Sequence, residues 1–194
     1  MQQVSSPPFK IRTVAVIGAG SAGRSFALAC VAAGFHVVLE DVMPANLRRA
    51  QSDFVEMDLR DSVGHLDLAL TVEDAVREAD IAVDFVPDEL ESKLEIFSMI
   101  DRMAPPKTIL CTPSDALSIT DLASCVYRPE RCFAVRGDFV GEGSGVVRLL
   151  YPASANDQVL TATGDFLRSL RRNVQDDPDP DVPVLMKNQA QVAP

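Results

Sequence analysis

Apolar positions fall in short blocks that change period from strand to helix along most of the chain. Thr13-Val-Ala-Val-Ile17 is a β-branched run bounded by glycine, and its lack of polar alternation predicts a strand covered on both faces. From Ser21 to Ala33, Phe26, Ala29, Cys30 and Ala33 recur at helical spacing, and Gly34 stands where a C′ residue belongs. His36–Glu40 reads as a second strand, and Pro44 opens a helix running to Arg60 that is polar on most faces. The alternation then repeats. A short strand is expected over Leu68–Thr71, a helix over Val72–Glu78 and a strand over Ile81–Val86, ended by Pro87. Glu89–Met103 carries Leu90, Leu94, Phe97 and Ile100 on one face and stops at Pro105-Pro106. Thr108–Thr112, Cys132–Val135 and Val146–Tyr151 read as strands, Ser118–Ala123 as a short helix and Asn156–Leu170 as a long one. Strands alternating with helices predict a single doubly wound α/β domain, a mostly parallel sheet with helices on both faces.

The expected divisions are a lead-in over residues 1–10, the domain over 11–175 and an acidic, proline-broken tail or docking arm over 176–194. At 194 residues, 47% hydrophobic and 24% charged, the chain has the apolar content for a real core, which excludes wholesale disorder. The net charge of −10 and the lack of a basic run with interleaved aromatics argue against nucleic acid and anionic membrane as partners. No apolar stretch approaches the roughly 18 to 20 residues that span a bilayer, and Met1–Lys10 lacks a signal-peptide core. A cytoplasmic location is expected. Cys30, Cys111, Cys125 and Cys132 follow no metal-ligand spacing with His36 or His65, so buried, reduced thiols are expected and no metal.

The chemistry concentrates after the first strand. Gly18-Ala19-Gly20-Ser21-Ala22-Gly23 fits GxGxxG between a predicted strand and a predicted helix, the context that makes the pattern informative. Gly18 permits the tight turn, Gly20 lets a pyrophosphate approach the backbone, and Gly23 lets the helix pack closely. Free N–H groups at the helix start face the phosphates. Asp41, at the end of the second strand, is placed to accept hydrogen bonds from an adenosine ribose. No Arg or Lys follows it directly, and Glu40 adds negative charge, which favours NAD over NADP. The competing readings are a tight turn beside a surface acid, or FAD in place of NAD.

The sequence resembles the NAD-binding domain of the 3-hydroxyacyl-CoA dehydrogenase family. The resemblance runs through Val14–Gly23, Val37–Asp41, Ala79–Lys93, Ser118–Thr120 and Pro129–Arg131 to about Val174, covering most of the chain. It implies a Rossmann-type fold, NAD as cofactor, and a cofactor cleft lined by Pro87, Asp88 and Lys93. The alternative for Asp88 and Lys93 is a solvated charge pair. The family's proton-transfer residues are not matched. Its histidine falls on Arg136, its asparagine on Phe139, its glutamate on Arg148 and its substrate-loop serine on Asp115. A guanidinium stays protonated near neutrality and cannot be a general base, so the catalytic residues are unknown.

Histidine and glutamate face one another in the family, so Arg136 and Arg148 are expected to be buried neighbours, with Asp115, Asp138 or Glu142 between them. Such a cluster is either structural or an anion pocket beside the nicotinamide. No counterpart of the family's second, helical domain is expected. The expectation is therefore an NAD(H)-binding oxidoreductase-family domain that acts on a hydroxyacyl-type or other small substrate only with a partner subunit or a second copy. The alternative is a non-catalytic NAD(H)-binding sensor or complex subunit.

Overall fold

A computed structural model describes residues 9–57, 64–137 and 145–180. Its elements in chain order are β1 (Thr13–Ile17), α1 (Ser21–Ala32), β2 (His36–Glu40), α2 (Pro44–Glu56), β3 (His65–Ala69), α3 (Val72–Val76) and β4 (Ile81–Asp84). There follow α4 (Leu90–Met103), β5 (Ile109–Thr112), α5 (Ile119–Ala123), β6 (Cys132–Gly137), β7 (Val146–Tyr151), α6 (Asp157–Ser169) and β8 (Asn173–Pro178). The eight strands form one sheet in the order β3-β2-β1-β4-β5-β6-β7-β8. β3 through β6 run parallel, β7 turns back antiparallel to β6, and β8 lies parallel to β7.

The β-branched runs are buried on both sides because helices cover both faces. Val14, Val16, Val37, Leu39, Ile81 and Val83 meet Phe26, Cys30 and Val31 of α1, with Leu47 of α2 and Phe166 and Leu167 of α6. The alternate residues Ala15, Ile17, Ala82 and Leu110 meet Val76 of α3, Phe97 and Ile100 of α4 and Leu122 of α5. At the amino ends of the strands, Asp80 accepts the N–H groups of Arg12 and Thr13 at 2.8 and 3.0 Å and pairs with Lys107. That fastening leaves the carboxyl ends to carry the loops.

Three expectations change. The strand expected at Leu68–Thr71 is β3 at His65–Ala69, an edge strand whose polar positions are held by Asp67 between His36 and His65, at 2.7 and 3.0 Å. The tail expected from Asp176 begins inside the sheet. Asn173–Pro178 is an eighth strand, and an edge position tolerates its acids and its proline. Cys125 is exposed, whereas Cys30, Cys111 and Cys132 are buried, and all four are free. Several expectations fall outside the described residues: the lead-in to Pro8, the end of the helix expected to Arg60, and the tail beyond Pro180. So does most of the Gly137–Gly145 loop, with Asp138, Phe139 and Glu142.

Candidate functional site

In this strand order the connections leave β1 and β4 in opposite directions, which opens a crevice at their carboxyl ends. The Gly18–Gly23 loop occupies it. Gly18 has φ +99°, and its N–H donates to the Glu40 carbonyl at 2.9 Å while the Phe85 N–H donates to the Ile17 carbonyl at 2.7 Å. The loop is thereby tied to β2 on one side and β4 on the other. A Cβ on Gly23 would stand 1.9 Å from the Gly18 carbonyl oxygen, so only glycine allows α1 to start this close to the turn. Gly20 differs. It is the N-cap of α1, no side chain caps it, and a Cβ there would meet nothing within 4 Å. Ser21 and Ala22 are exposed at the helix start, and Ala19 is buried. Open space over Gly20, at the start of a 12-residue helix whose first N–H groups are uncapped, fits a dinucleotide pyrophosphate.

Asp41 sits where expected, but largely buried. Its Oδ2 accepts from the Ala19 N–H and from Asn46 Nδ2, each at 2.9 Å, and its Oδ1 accepts from the Met43 N–H at 2.7 Å. The carboxylate therefore fastens the glycine loop to the tip of β2. With about four acceptor positions on a carboxylate, three are taken by these bonds. Glu40 beside it is 4% exposed. Burial first, then the Asp41 charge, push its carboxyl up to about 7, against the hydrogen bond from the Gly18 backbone.

Lys93 and Asp88 do not form the solvated pair. Lys93 is 1% exposed, and its Nζ donates to Asp84 Oδ2 at 2.9 Å. Asp84 also accepts from Thr112 Oγ1 at 3.1 Å and from the Val86 N–H at 2.9 Å. Burial raises the Asp84 carboxyl despite the charge and hydrogen bond of Lys93. This buried triad locks α4 to β4 and β5 under the crevice. Asp88 is exposed beyond Pro87 and accepts from the Ala116 N–H at 3.4 Å, which links the loops after β4 and β5.

Arg136 and Arg148 are directly opposite across the antiparallel β6–β7 pair, as the resemblance implied. They are not a buried pair around Asp115. Arg136 donates from Nε to the Ser114 carbonyl at 3.0 Å and from Nη2 to the Leu117 carbonyl at 2.8 Å. Arg148, 53% exposed at its side chain, pairs with Asp177 of β8 at 3.0 Å. Asp115 is exposed and bonds to neither among the described residues. The two guanidiniums are held apart: neutral loop carbonyls bind one, and an acid of a new edge strand pairs with the other. Sequence reasoning missed Asp84, Asp177 and Asp179. Asp179 accepts from Ser118 Oγ at 2.7 Å and from Thr120 N–H and Oγ1 at 2.8 Å, which pins the end of β8 to the start of α5. The local hint was the run of acids from Asp176.

Comparison with known proteins agrees with this geometry. The family described as "3-hydroxyacyl-CoA dehydrogenase, NAD binding domain" matches residues 13–174. A "Probable 3-hydroxybutyryl-CoA dehydrogenase" of Bacillus subtilis (strain 168) is 30% identical over 135 residues, covering 63% of this chain and 47% of the relative. The 5-formyl-3-hydroxy-2-methylpyridine 4-carboxylate 5-dehydrogenase of Mesorhizobium japonicum is 26% identical over 170 residues, covering 82% of this chain and 55% of the relative. The chain thus spans about half the length of these two curated relatives. A crystal structure of the 3-hydroxyacyl-CoA dehydrogenase of Archaeoglobus fulgidus superposes with a TM-score of 0.75 at 24% identity, covering 94% of this chain and 61% of that one. Among the described residues no helix is long and apolar enough to cross a membrane. With the glycine loop in its crevice and the family match running from β1 into β8, the chain belongs to the NAD-binding domain family of the 3-hydroxyacyl-CoA dehydrogenases.

Proposed function

We propose that this domain holds NAD(H) at the Gly18–Gly23 loop and leaves proton transfer to groups supplied by a partner chain or a second copy. A bound nicotinamide would supply hydride chemistry. The chain's own residues bind and orient. The α1 amino end receives pyrophosphate, Asp41 offers its free acceptor position to a ribose, and the Asp84–Lys93–Thr112 triad keeps the crevice floor rigid. The observation that carries the reading is at the family's two proton-transfer positions: Arg136 is bound to two loop carbonyls and Arg148 to Asp177. Neither cation can take a proton from a substrate hydroxyl near neutrality. The substrate under this reading is a hydroxyacyl-type compound.

A second reading, a non-catalytic NAD(H) sensor or complex subunit, is favoured by the placement of Arg136. Its guanidinium ties together the loop that holds substrate in the family, which suits a fixed surface better than a substrate cleft. The test is NADH titration by fluorescence with solution mass, followed by acetoacetyl-CoA reduction at several protein concentrations. NADH binding without turnover by the monomer is expected. Turnover that arises only on association supports a site shared with a second copy, and its absence at every concentration excludes the second copy and leaves a partner chain or the sensor. Turnover by an isolated monomer would refute both.

A further inference from the structure

The last row of side chains on the α3–α5 face of the sheet carries more acid than base. Registered residues across β2, β1 and β4 place Glu40, Ile17 and Asp84 side by side at the carboxyl ends of the strands, and Thr112 of β5 is bonded to Asp84. Strand alternation turns this row toward the same helices, since Val38, Ala15, Ala82 and Leu110, two residues earlier, lie in that layer. Glu40 and Asp84 are 4% and 0% exposed. One buried ammonium serves this row, Lys93, and it is bonded to Asp84. Glu40 forms no ion pair among the described residues, and Asp41 adds a further negative charge next to it.

Among the described residues, the other elements around Glu40 bring no cation to it. β1 offers Ile17 and the Gly18 N–H, and β3 offers Ala69. α3 opens with Glu73 and Asp74, both exposed, and Arg77 at its end pairs with Asp74. α4 presents Lys93, already taken. On the opposite face Arg24 pairs with Asp53. A buried carboxyl beside a second carboxylate and without a counter-ion keeps its proton unless solvent or a cation compensates for ionisation.

Glu40 also touches the cofactor loop directly, because its carbonyl accepts the Gly18 N–H. The inference rests on dinucleotide binding at that loop. We infer that Glu40 is the proton-linked residue of the dinucleotide site, so that NAD(H) binding takes up a proton on its carboxyl group and weakens as that proton is lost. A pyrophosphate brings negative charge to the crevice at the carboxyl ends of β1 and β2, where Glu40 ends its strand opposite Ile17, which makes ionised Glu40 costlier in the complex than in the free protein. The uptake is the conversion of one carboxylate oxygen to a hydroxyl, with the proton drawn from buffer. Glu40 is thereby a positioning residue acting through the loop. Its burial brings its titration up to about 7, within the range where a cell's pH changes act.

The test is calorimetric titration of the whole chain with NAD from pH 5.5 to 9, in two buffers of different ionisation enthalpy, with Glu40→Gln in parallel. In the unsubstituted chain, fractional proton uptake per NAD bound is expected, and affinity should fall about tenfold across the range for a one-unit rise of the carboxyl on binding. E40Q, which mimics the protonated form, should bind with an affinity independent of pH and without uptake. The buffer comparison on the unsubstituted chain needs no variant, so it decides the matter even if E40Q fails to fold. Binding with no proton uptake overturns the inference, as does an equal pH slope in E40Q, which would move the proton elsewhere. No NAD binding by either chain at any pH overturns the cofactor reading itself.

Discussion

Gly23 gives the sharpest test of how the loop is built. It is the third residue of α1, and a Cβ there would lie 1.9 Å from the Gly18 carbonyl oxygen and 3.2 Å from Phe85 Cβ. Ordinary C–H···O contacts begin at about 3.3 Å, so Gly23→Ala must part helix from loop by about 1.4 Å. Alanine gains about 1 kcal/mol of helix propensity over glycine, while overpacking against backbone costs about 1 to 3 kcal/mol and sometimes more. A clash of 1.9 Å with backbone puts the cost at the upper end of that range, so the net is a loss of about 2 kcal/mol, or roughly 4 to 8 °C in Tm at about 2 to 4 °C per kcal/mol for a chain of this size. NADH affinity should fall with it, because Gly18 and Ala19 carry the turn.

Gly20 is the control. Its φ of −60° suits any residue, its Cβ direction is open, and serine is a favoured N-cap, so Gly20→Ser should keep the Tm and lose NADH affinity. Thermal melts and NADH fluorescence titration on both variants measure the two effects separately. A G23A chain that melts and binds like the unsubstituted one would refute the packing argument.

Four further substitutions probe the carboxylates. Asp41→Ala removes the acceptor of the Ala19 and Met43 N–H groups and should cost about 1 to 3 kcal/mol in urea unfolding as well as NAD affinity; unchanged stability would show that the loop does not depend on that carboxylate. Lys93→Met strands the buried Asp84 and should destabilise by about 3 to 5 kcal/mol, with Asp84→Asn on top recovering part of the loss; no recovery would place the damage in packing. Burial alone would raise Asp80, but Lys107 and the Thr13 and Arg12 N–H groups outweigh it and hold its carboxyl below the ordinary range. A depressed carboxyl contributes stability above its unfolded pKa and loses it as pH falls through the folded one. Asp80→Asn should therefore lower stability at pH 7, with the gap closing as pH falls below about 4; a gap constant with pH in urea melts would contradict the assignment.

Much of the fold was legible from residue order alone, because its determinants are local. The run Thr13–Ile17, the glycines at 18, 20 and 23 and the acid at 41 need only the geometry of one turn and one parallel pair, so their placement follows from spacing. Period likewise identified α1 and α4, whose buried faces are one side of a helix. Tertiary structure decided what depends on partners distant in the chain. β8 is a strand because β7 leaves an open edge and Arg148 meets Asp177, neither of which a proline-bearing acidic run announces. Lys93 reads as a surface lysine on an amphipathic helix until α4 lies over Asp84, nine residues earlier but on another layer. Arg136 and Arg148 were placed opposite by resemblance, yet their hydrogen-bond partners come from a loop and an edge strand that register alone cannot supply. Glu40 and Asp41 are neighbours in the chain that strand alternation sends to different surroundings. One became the clasp of the loop, Asp41, and the other a buried acid that has no counter-ion among the described residues of the assembled sheet.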